Sequence, residues 1–241
     1  MNGRGALVTG ASSGIGAATA RRFGADGAAV VLAARNESGL ADVAADLPDE
    51  TLVVPTDVTD PDAVTALTEA RIDRFGRLDT VVVNAGTGER RNVPLADLPV
   101  AEFEAVTRTN VHGVFHTVQA TLPALRDSAG TLAFVGSYKG KHPSTSTPVY
   151  AASKWWLRGF TASVAGRVGP DGVAVTVVNP SGVPTAFGSE FRERSNEACL
   201  DPGRELSPEA VADAIAFATR QERPGAVAEL DLYRRDIYAR F

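Results

Sequence analysis

The stretch Ala6-Leu7-Val8-Thr9-Gly10-Ala11-Ser12-Ser13-Gly14-Ile15-Gly16 decides the fold. Its first four residues predict a strand, and the residues from Gly14 to Ala25 predict a helix. Glycines between the two allow a tight turn and let a phosphate approach the backbone at the positive N-terminal end of the helix. Their spacing departs from the common Gly-x-Gly-x-x-Gly pattern, and tight turns also need glycine for purely structural reasons. We interpret the turn as a nucleotide-binding site because it lies at the first strand-to-helix junction.

Along the rest of the chain, short apolar segments alternate with segments in which apolar residues recur at helical spacing. Further strands are predicted at 28–34, 51–55, 80–83, 131–135, 173–178 and 227–232, and a long helix at 99–125. Apolar runs without alternation indicate strands that are buried on both faces, as in parallel sheets. Strict alternation of strands and helices predicts a doubly wound α/β fold with helices on both faces of the sheet. Since no linker or repeat interrupts the pattern, we expect residues 1–241 to form a single domain.

Charge and composition exclude several classes of function. The 241 residues are 44% hydrophobic and carry a net charge of −5, which argues against non-specific nucleic-acid binding. The N-terminus has no basic and then apolar leader, and no apolar run approaches the ~20 residues that span a bilayer. We therefore expect a cytoplasmic protein with neither a nucleic-acid nor a membrane partner.

Metal binding is not expected either. Cys199 is the only cysteine, which excludes an internal disulfide and a cysteine metal cluster. His112 and His116 lie four residues apart, a spacing that metals accept on a helix. With no third ligand nearby, we expect both histidines to pack or to lie on the surface. We expect Cys199 to be a bystander rather than a nucleophile.

A second informative stretch is Pro148-Val149-Tyr150-Ala151-Ala152-Ser153-Lys154. Thr147 and Pro148 suit the N-cap and the first position of a helix. Such a helix places Tyr150 and Lys154 on one face, although a four-residue spacing also arises by chance. A neighbouring ammonium favours phenolate, so Lys154 is expected to lower the Tyr150 pKa from about 10 toward neutrality. Lysine is scarce in this arginine-rich chain, which supports a specific task for Lys154.

Residues that follow the second and third strands bear on the choice of nucleotide. Arg35 and Asn36 end the second strand, where an acidic residue would select NAD and an arginine suits the 2′-phosphate of NADP. NADP is therefore favoured over NAD, and a merely solvated Arg35 is the alternative. Asp57 and Val58 follow the third strand, at the edge where an adenine would lie. A simple turn aspartate is equally consistent with the sequence.

Five motifs together resemble the short-chain dehydrogenase/reductase family. They follow the family's order and spacing over essentially the whole chain: Thr9 to Gly16, Asn84-Ala85-Gly86, Asn110, Ser137 and Tyr150-x-x-x-Lys154. The resemblance implies a three-layer α/β/α Rossmann fold with a seven-stranded parallel sheet in the order 3-2-1-4-5-6-7. It also implies an oxidoreductase that transfers hydride between a nicotinamide cofactor and a ketone or secondary alcohol.

Four catalytic residues are implied by the resemblance. Tyr150 would donate a proton as hydride arrives, Ser137 would orient the substrate carbonyl, and Lys154 would hold the nicotinamide ribose. Asn110 would anchor a water that relays protons, or else be an ordinary asparagine inside a helix. The implied cofactor-binding residues are Gly10, Ser12, Ser13, Gly14, Ile15, Gly16, Arg35, Asn36, Asp57, Val58, Asn84, Ala85, Gly86, Tyr150, Lys154, Pro180, Val183 and Thr185.

The substrate side departs from the family in places. Ser181 stands where glycine is usual, and this leaves the path of the loop before Thr185 open because serine tolerates positive φ less well. Residues 186–206 are polar and poorly periodic, and they resemble the family's mobile substrate lid. Two basic runs, 89–91 and 138–142, are hypothesised to line the pocket mouth and to favour an anionic or strongly polar substrate. Solvated loop charges are the alternative.

Oligomerisation and two competing functions complete the expectations. Small residues surround Trp156 on the face of its helix that points away from Tyr150, which lets a second helix approach closely. Relatives in the family pair in this way, so we expect a homodimer or homotetramer through the 101–125 and 149–168 helices. The competing functions are an NAD-dependent polyol or sugar alcohol dehydrogenase and a non-catalytic regulator that senses NADP.

Overall fold

The computed structural model describes residues 1, 3–48 and 50–240. Seven parallel strands form one sheet in the order β3-β2-β1-β4-β5-β6-β7. Both the strand order and the doubly wound Rossmann architecture expected from the sequence are confirmed. The strands are β1 (Gly5–Thr9), β2 (Ala29–Ala34), β3 (Thr51–Pro55), β4 (Thr80–Val83), β5 (Thr131–Val135), β6 (Ala174–Pro180) and β7 (Glu229–Leu232).

Helices cover both faces of this sheet. They are α1 (Gly14–Ala25), α2 (Glu37–Ala44), α3 (Pro61–Phe75), α4 (Val100–Thr107), α5 (Val114–Ser128), α6 (Pro148–Val168), α7 (Asn196–Cys199) and α8 (Pro208–Thr219). One apolar core lies between the sheet and α1, α2 and α8. A second core lies between the sheet and α3, α5 and α6. Two cores on opposite faces make the predicted three layers.

Strand β1 shows why its sequence is apolar without alternation. All five of its residues are buried. Ala6 and Val8 pack into the core beneath α1 and α8, whereas Leu7 packs into the opposite core beneath α5 and α6. Because successive side chains of a strand point to opposite faces, a strand between two helical layers needs apolar residues at every position.

The predicted 99–125 helix differs from the structure in one respect. α-Helical geometry ends at Thr107 and resumes at Val114, and a π-helical segment, Arg108–Gly113, connects the two parts. A π turn carries one extra residue, which apolar periodicity does not register. Asn110 lies in this segment and its side chain is buried. Such wide turns occur frequently at functional sites.

Smaller differences concern the ends of elements. β6 extends to Pro180 rather than ending at 178, and β7 begins at Glu229 rather than at 227. In the described part of the chain, no helix is both long enough and apolar enough to cross a membrane.

Candidate active site

A cleft of about 850 Å³ opens at the carboxyl ends of the strands. This is the edge where ligands bind in open α/β sheets. The cleft is lined by Ser137 and by every expected cofactor-binding residue except Gly16. Asn110 lies behind the wall, because it is buried and does not line the cleft. The structure therefore gathers residues from Gly10 to Thr185 around one cavity.

The turn between β1 and α1 forms the floor of one half of the cleft. Gly10 has φ +65°, in the left-handed region that favours glycine. A Cβ on Gly16 would overlap the carbonyl oxygen of Gly10, so only glycine fits there. Ser13 occupies the N-cap of α1 without a side-chain cap bond, and the first turn holds no acidic residue. The N-terminus of α1 therefore faces the cleft without a carboxylate, which suits a phosphate.

The segment after β4 is tied to this turn. The side-chain amide nitrogen of Asn84 donates to the backbone oxygens of Thr9 at 2.9 Å and Gly10 at 3.1 Å. The hydroxyl of Thr9 accepts from the backbone N–H groups of Asn84 and Ala85 at 3.0 and 3.2 Å. These bonds hold the carboxyl ends of β1 and β4 together beside the cleft.

The expected adenine side of the cleft holds Arg35 and Asp57, for each of which the sequence allowed either a cofactor-binding role or a purely structural one. Arg35 has an exposed side chain, and its guanidinium lies 3.6 Å from the carboxylate of Glu190. Asn36 caps α2, because its side-chain oxygen accepts from the backbone N–H of Gly39. The carboxylate of Asp57 accepts from the backbone N–H of Thr59 at 2.9 Å. Asp57 is therefore a turn residue that also lines the cleft.

Tyr150, Ser137 and Lys154 meet in the other half of the cleft. Helix α6 supplies Tyr150 and Lys154, Ser137 follows the end of β5, and all three side chains line the cleft. The ammonium of Lys154 donates to the backbone oxygen of Val135 at 2.8 Å and lies 5.7 Å from the centroid of the Tyr150 ring. The predicted face of α6 thus points at the carboxyl end of β5.

Burial controls the ionisation of both α6 side chains. Burial raises the pKa of Tyr150 to about 12, although the Ser137 hydrogen bond and the charge of Arg192 act to lower it. Burial also lowers the pKa of Lys154 to about 8. The expectation that Lys154 brings the Tyr150 pKa toward neutrality is wrong for this structure. Near pH 7 the phenol is protonated and the ammonium is mostly charged, so the pair can donate a proton.

Asn110 clamps the segment that follows β4. Its side-chain oxygen accepts from the backbone N–H of Thr87 at 2.9 Å, and its amide nitrogen donates to the Thr87 oxygen, also at 2.9 Å. The same nitrogen donates to the Ser153 hydroxyl at 3.0 Å. Since Ser153 precedes Lys154, Asn110 links the π turn, the β4 segment and α6. Its side chain therefore has a structural task beside any role in proton relay.

Glu89 is a residue of the site that the sequence did not reveal. Its side chain is fully buried, and its carboxylate accepts from the backbone N–H groups of Val149 at 2.8 Å and Tyr150 at 3.0 Å. Thr147 was the expected cap of α6, but it makes no side-chain cap bond, and its hydroxyl accepts from Lys139 at 2.6 Å. An anion at the N-terminus of a helix stabilises the helix. No local sequence pattern marks this contact, because about sixty residues separate the partners.

The two basic runs line the cleft only in part, which corrects the expectation for their other members. Arg91 and Lys139 line the cleft, whereas Glu89 is buried beneath α6. Arg90 pairs with Glu102, and Lys141 pairs with Glu229 and Asp231. Neither of these two basic side chains lines the cleft, and nor does His142.

Residues of the expected lid contribute side chains that the sequence did not single out. Phe187 lies with its ring centroid 5.3 Å from that of Tyr150, and the guanidinium of Arg192 lies 5.2 Å from the Phe187 centroid. The Arg192 Nε donates to the backbone oxygen of Glu89 at 2.9 Å. A charged side chain far from Tyr150 in sequence thus stands close to the phenol.

The loop after β6 follows a regular path despite its serine. Among the described residues, the non-glycine positions with positive φ are Asn92 and Ala129, so Ser181 needs no glycine-like conformation. Its buried hydroxyl accepts from the backbone N–H of Arg234 at 3.0 Å. Thr185 reaches the glycine turn, where a Cβ on Gly14 would lie 2.9 Å from its methyl group.

The remaining candidates, His112, His116 and Cys199, do not line the cleft. His112 and His116 make an edge-to-face contact at 6.3 Å, and Nδ1 of His116 lies 3.2 Å from the backbone oxygen of Val58. The described residues contain no group of three side chains that could hold a metal ion. Cys199 is exposed at the end of α7.

Comparison with known proteins agrees with this geometry. The family model described as short chain dehydrogenase matches residues 4–196. An uncharacterized oxidoreductase of Staphylococcus epidermidis is 35% identical over 219 residues, which cover 90% of each chain. Among solved structures, 3-ketoacyl-(acyl-carrier-protein) reductase from Brucella melitensis complexed with NADH is 29% identical, with a TM-score of 0.87 over 96% of this chain and 97% of that one. Alcohol dehydrogenase from Thermococcus sibiricus complexed with 5-hydroxy-NADP is also 29% identical, with a TM-score of 0.84 over 95% of each chain.

Proposed function

The chain belongs to the short-chain dehydrogenase family, and from this premise we propose that it is an NADP(H)-dependent oxidoreductase that interconverts a ketone and a secondary alcohol. One observation supports the proposal above the others. A protonated Tyr150 and the hydroxyl of Ser137 stand in the same cleft as the uncapped N-terminus of α1. A proton donor and a phosphate cradle are the two parts that reduction by a nicotinamide dinucleotide requires.

The residues present fit such a cofactor. The glycine turn leaves room for a pyrophosphate beside the α1 amides, where a carboxylate cap would have repelled it. Arg35 would pair with a 2′-phosphate, and its guanidinium is exposed at the end of β2, 3.6 Å from the Glu190 carboxylate. Lys154 would donate to the nicotinamide ribose. When bound, the cofactor supplies or accepts the hydride.

The chain's own residues would supply the proton and the orientation. Ser137 would hold the substrate oxygen next to Tyr150, which would give its phenolic proton to that oxygen as hydride reaches the carbonyl carbon. The C=O bond thereby becomes CH–OH, and the negative charge left on the phenol oxygen is stabilised by the Lys154 ammonium and by Arg192. Oxidation of an alcohol would run the same proton in reverse.

Assembly and location belong to the same proposal. Val100, Phe103, Phe115 and Trp155 are exposed on α4, α5 and α6. An added Cβ at Gly159 or at Gly166 would meet no atom within 4 Å, so the outer face of α6 is open. Such a face suits the close approach of a second α6, and we propose a homodimer or homotetramer. Location in the cytoplasm stays a prediction from the composition.

The experiment that tests this function is a spectrophotometric screen of NADPH oxidation with ketones, aldehydes and keto acids. We expect turnover of at least one ketone, and reversal of the reaction with the corresponding secondary alcohol and NADP⁺. Binding of NADPH without turnover of any member would overturn the assignment and would favour a cofactor-sensing regulator. A preference for NADH with polyols would favour the NAD-dependent alternative.

A further inference from the structure

Three cationic side chains converge at the substrate end of the cleft. Arg91 follows β4, Lys139 follows β5, and Arg192 belongs to the 186–206 segment, and all three line the cleft. Their positive charges repel one another. Burial, and then the charges of Arg91 and Arg192, lower the pKa of Lys139 to about 8. Burial and the charge of Arg91 also lower the pKa of Arg192. Keeping like charges together has a free-energy cost that the protein must offset elsewhere.

These cations lack a carboxylate partner within the described residues. Lys139 donates to the Thr147 hydroxyl, Arg91 donates to the side-chain oxygen of Asn196 at 2.6 Å, and Arg192 donates to a backbone oxygen. Two other arginines of the cleft form salt bridges, Arg35 with Glu190 and Arg234 with Glu205. This corner differs from those parts of the cleft because three cations without a salt bridge in the described part of the chain lie together in it.

Glu89 is an acidic residue whose charge acts on Lys139 and Arg192, and its carboxylate is already engaged in hydrogen bonds. Both carboxylate oxygens accept N–H groups of α6, and the side chain is fully buried. Glu89 acts on the pKa of Lys139 and of Arg192 through its charge, yet it forms a salt bridge with neither. One buried anion beside three cations leaves the corner with a net positive charge.

The cluster is placed to touch the same molecule as Tyr150. The backbone N–H of Lys139 donates to the Ser137 hydroxyl at 3.2 Å, and Arg192 stacks on Phe187, which contacts the Tyr150 ring. The local chain leaves space for this arrangement, because a Cβ on Gly88 would lie 2.7 Å from a guanidinium nitrogen of Arg192. A substrate oxygen at Ser137 and Tyr150 would therefore leave the far end of the substrate at the cations.

We infer that the physiological substrate carries an anionic group, a carboxylate or a phosphate, a few bonds from its carbonyl or carbinol carbon. Arg91, Lys139 and Arg192 bind that group and so determine specificity. This inference rests on the proposed function and adds a substrate class to it. Guanidinium forks match the two oxygens of either anion, and a third point charge from Lys139 fixes the position of the group.

The test compares each acid with its uncharged ester. We would measure kcat/KM with NADPH for pyruvate, acetoacetate and levulinate and for their methyl esters, and for dihydroxyacetone phosphate against dihydroxyacetone. We expect the anion to exceed its neutral counterpart by at least about tenfold in one pair, as one charge-assisted hydrogen bond would give. The acid series and the phosphate pair separate the two anions, and the length of the preferred acid reports the distance to the cluster.

Matched variants connect the preference to these side chains. Lys139→Gln and Arg91→Gln should each reduce the anion-to-neutral ratio by about tenfold. Lys141→Gln and Arg90→Gln remove neighbouring cations of the same type that do not line the cleft, and should leave the ratio unchanged. Calorimetric binding of the preferred anion to the NADP⁺ complex should weaken in the first pair only.

The outcomes distinguish the two claims. Equal turnover of anions and neutral counterparts, or a ratio that all four variants leave unchanged, would overturn the anionic substrate while the proposed oxidoreductase function stands. Absence of turnover with every carbonyl compound would instead overturn the proposed function.

Discussion

The buried carboxylate of Glu89 accepts a hydrogen bond from the backbone N–H of Tyr150 at 3.0 Å. A residue of the loop after β4 therefore fixes the first turn of the helix that carries the phenol. The same carboxylate also accepts from the backbone N–H of Val149 at 2.8 Å, and it therefore caps the N-terminus of α6. Position of the phenol and stability of the helix thus depend on one side chain.

Replacing this cap should affect stability and turnover together. We expect Glu89→Ala to lower the free energy of unfolding by about 1–2 kcal/mol, because two backbone amides in the first turn of α6 lose their acceptor. A reduced kcat should accompany the loss, because the first turn of α6 is no longer held. Urea unfolding and steady-state kinetics measure the two effects. Glu102→Ala is the matched control, since Glu102 is a buried carboxylate whose hydrogen bonds go to Arg90 rather than to the N-terminus of α6.

In that comparison, Glu102→Ala should lose stability and keep its kcat at equal folded concentration. A Glu89→Ala protein with the stability and kcat of the parent would show that the cap does not position Tyr150.

The parts of the site that the sequence predicted are local in the chain. The turn from Gly10 to Gly16 and the pair Tyr150 and Lys154 lie within single strand-to-helix or helical units, and spacing alone places them. Ser137 was predictable because parallel strands bring their carboxyl ends to one edge. The contacts between these parts of the site form by packing of segments that are distant in the sequence, and no local sequence pattern predicts such contacts.

The contacts of Glu89 and Arg192 with the Tyr150 region could not be predicted from the sequence. Glu89 follows a glycine and precedes two arginines, so its neighbours in sequence indicate a charged loop, yet the fold buries it under α6. Thr147 has the sequence of a helix cap, but a lysine engages its hydroxyl instead. The sequence also predicted the wrong direction for the shift of the Tyr150 pKa, because burial in the folded protein outweighs the neighbouring charges.

Arg35 should determine the preference between the two dinucleotides. We expect Arg35→Gln to lower the ratio of kcat/KM for NADPH over NADH by about tenfold or more, because a charge-assisted contact with the 2′-phosphate is lost. Steady-state kinetics with both cofactors measure the ratio. Arg21→Gln is a matched control, since Arg21 is an exposed arginine paired with Asp46 away from the cleft. An unchanged ratio in Arg35→Gln would support a solvated arginine and reopen the NAD-dependent alternative.

Lys154 should set the alkaline limit of ketone reduction. Its pKa of about 8 means that the ammonium is charged below pH 8 and loses its proton as the pH rises further. Tyr150, with a pKa of about 12, stays protonated throughout this range. For a neutral ketone, kcat/KM should therefore be level from about pH 6 to 7.5 and fall above about pH 8. A neutral substrate avoids the titration of Lys139, and a profile that stays level to about pH 10 would contradict the role of Lys154.

The open face of α6 should be the site of assembly. Light scattering should give the mass of a dimer or a tetramer, and Gly159→Arg should convert it to a monomer because the added side chain keeps two helices apart. Ala41→Arg is the control, because Ala41 is exposed on α2 in the opposite helical layer. A parent protein that is monomeric at micromolar concentration would contradict the proposed assembly.

The most direct test of the account is the rate of NADPH oxidation by Tyr150→Phe with a ketone that the parent protein reduces. Removal of the phenolic oxygen should lower kcat by about 10²- to 10⁴-fold, because the proton donor is lost, while NADPH binding measured by fluorescence stays close to that of the parent. A Tyr150→Phe protein that binds NADPH and keeps the parent kcat would contradict the claim that Tyr150 is the general acid of a ketone reductase.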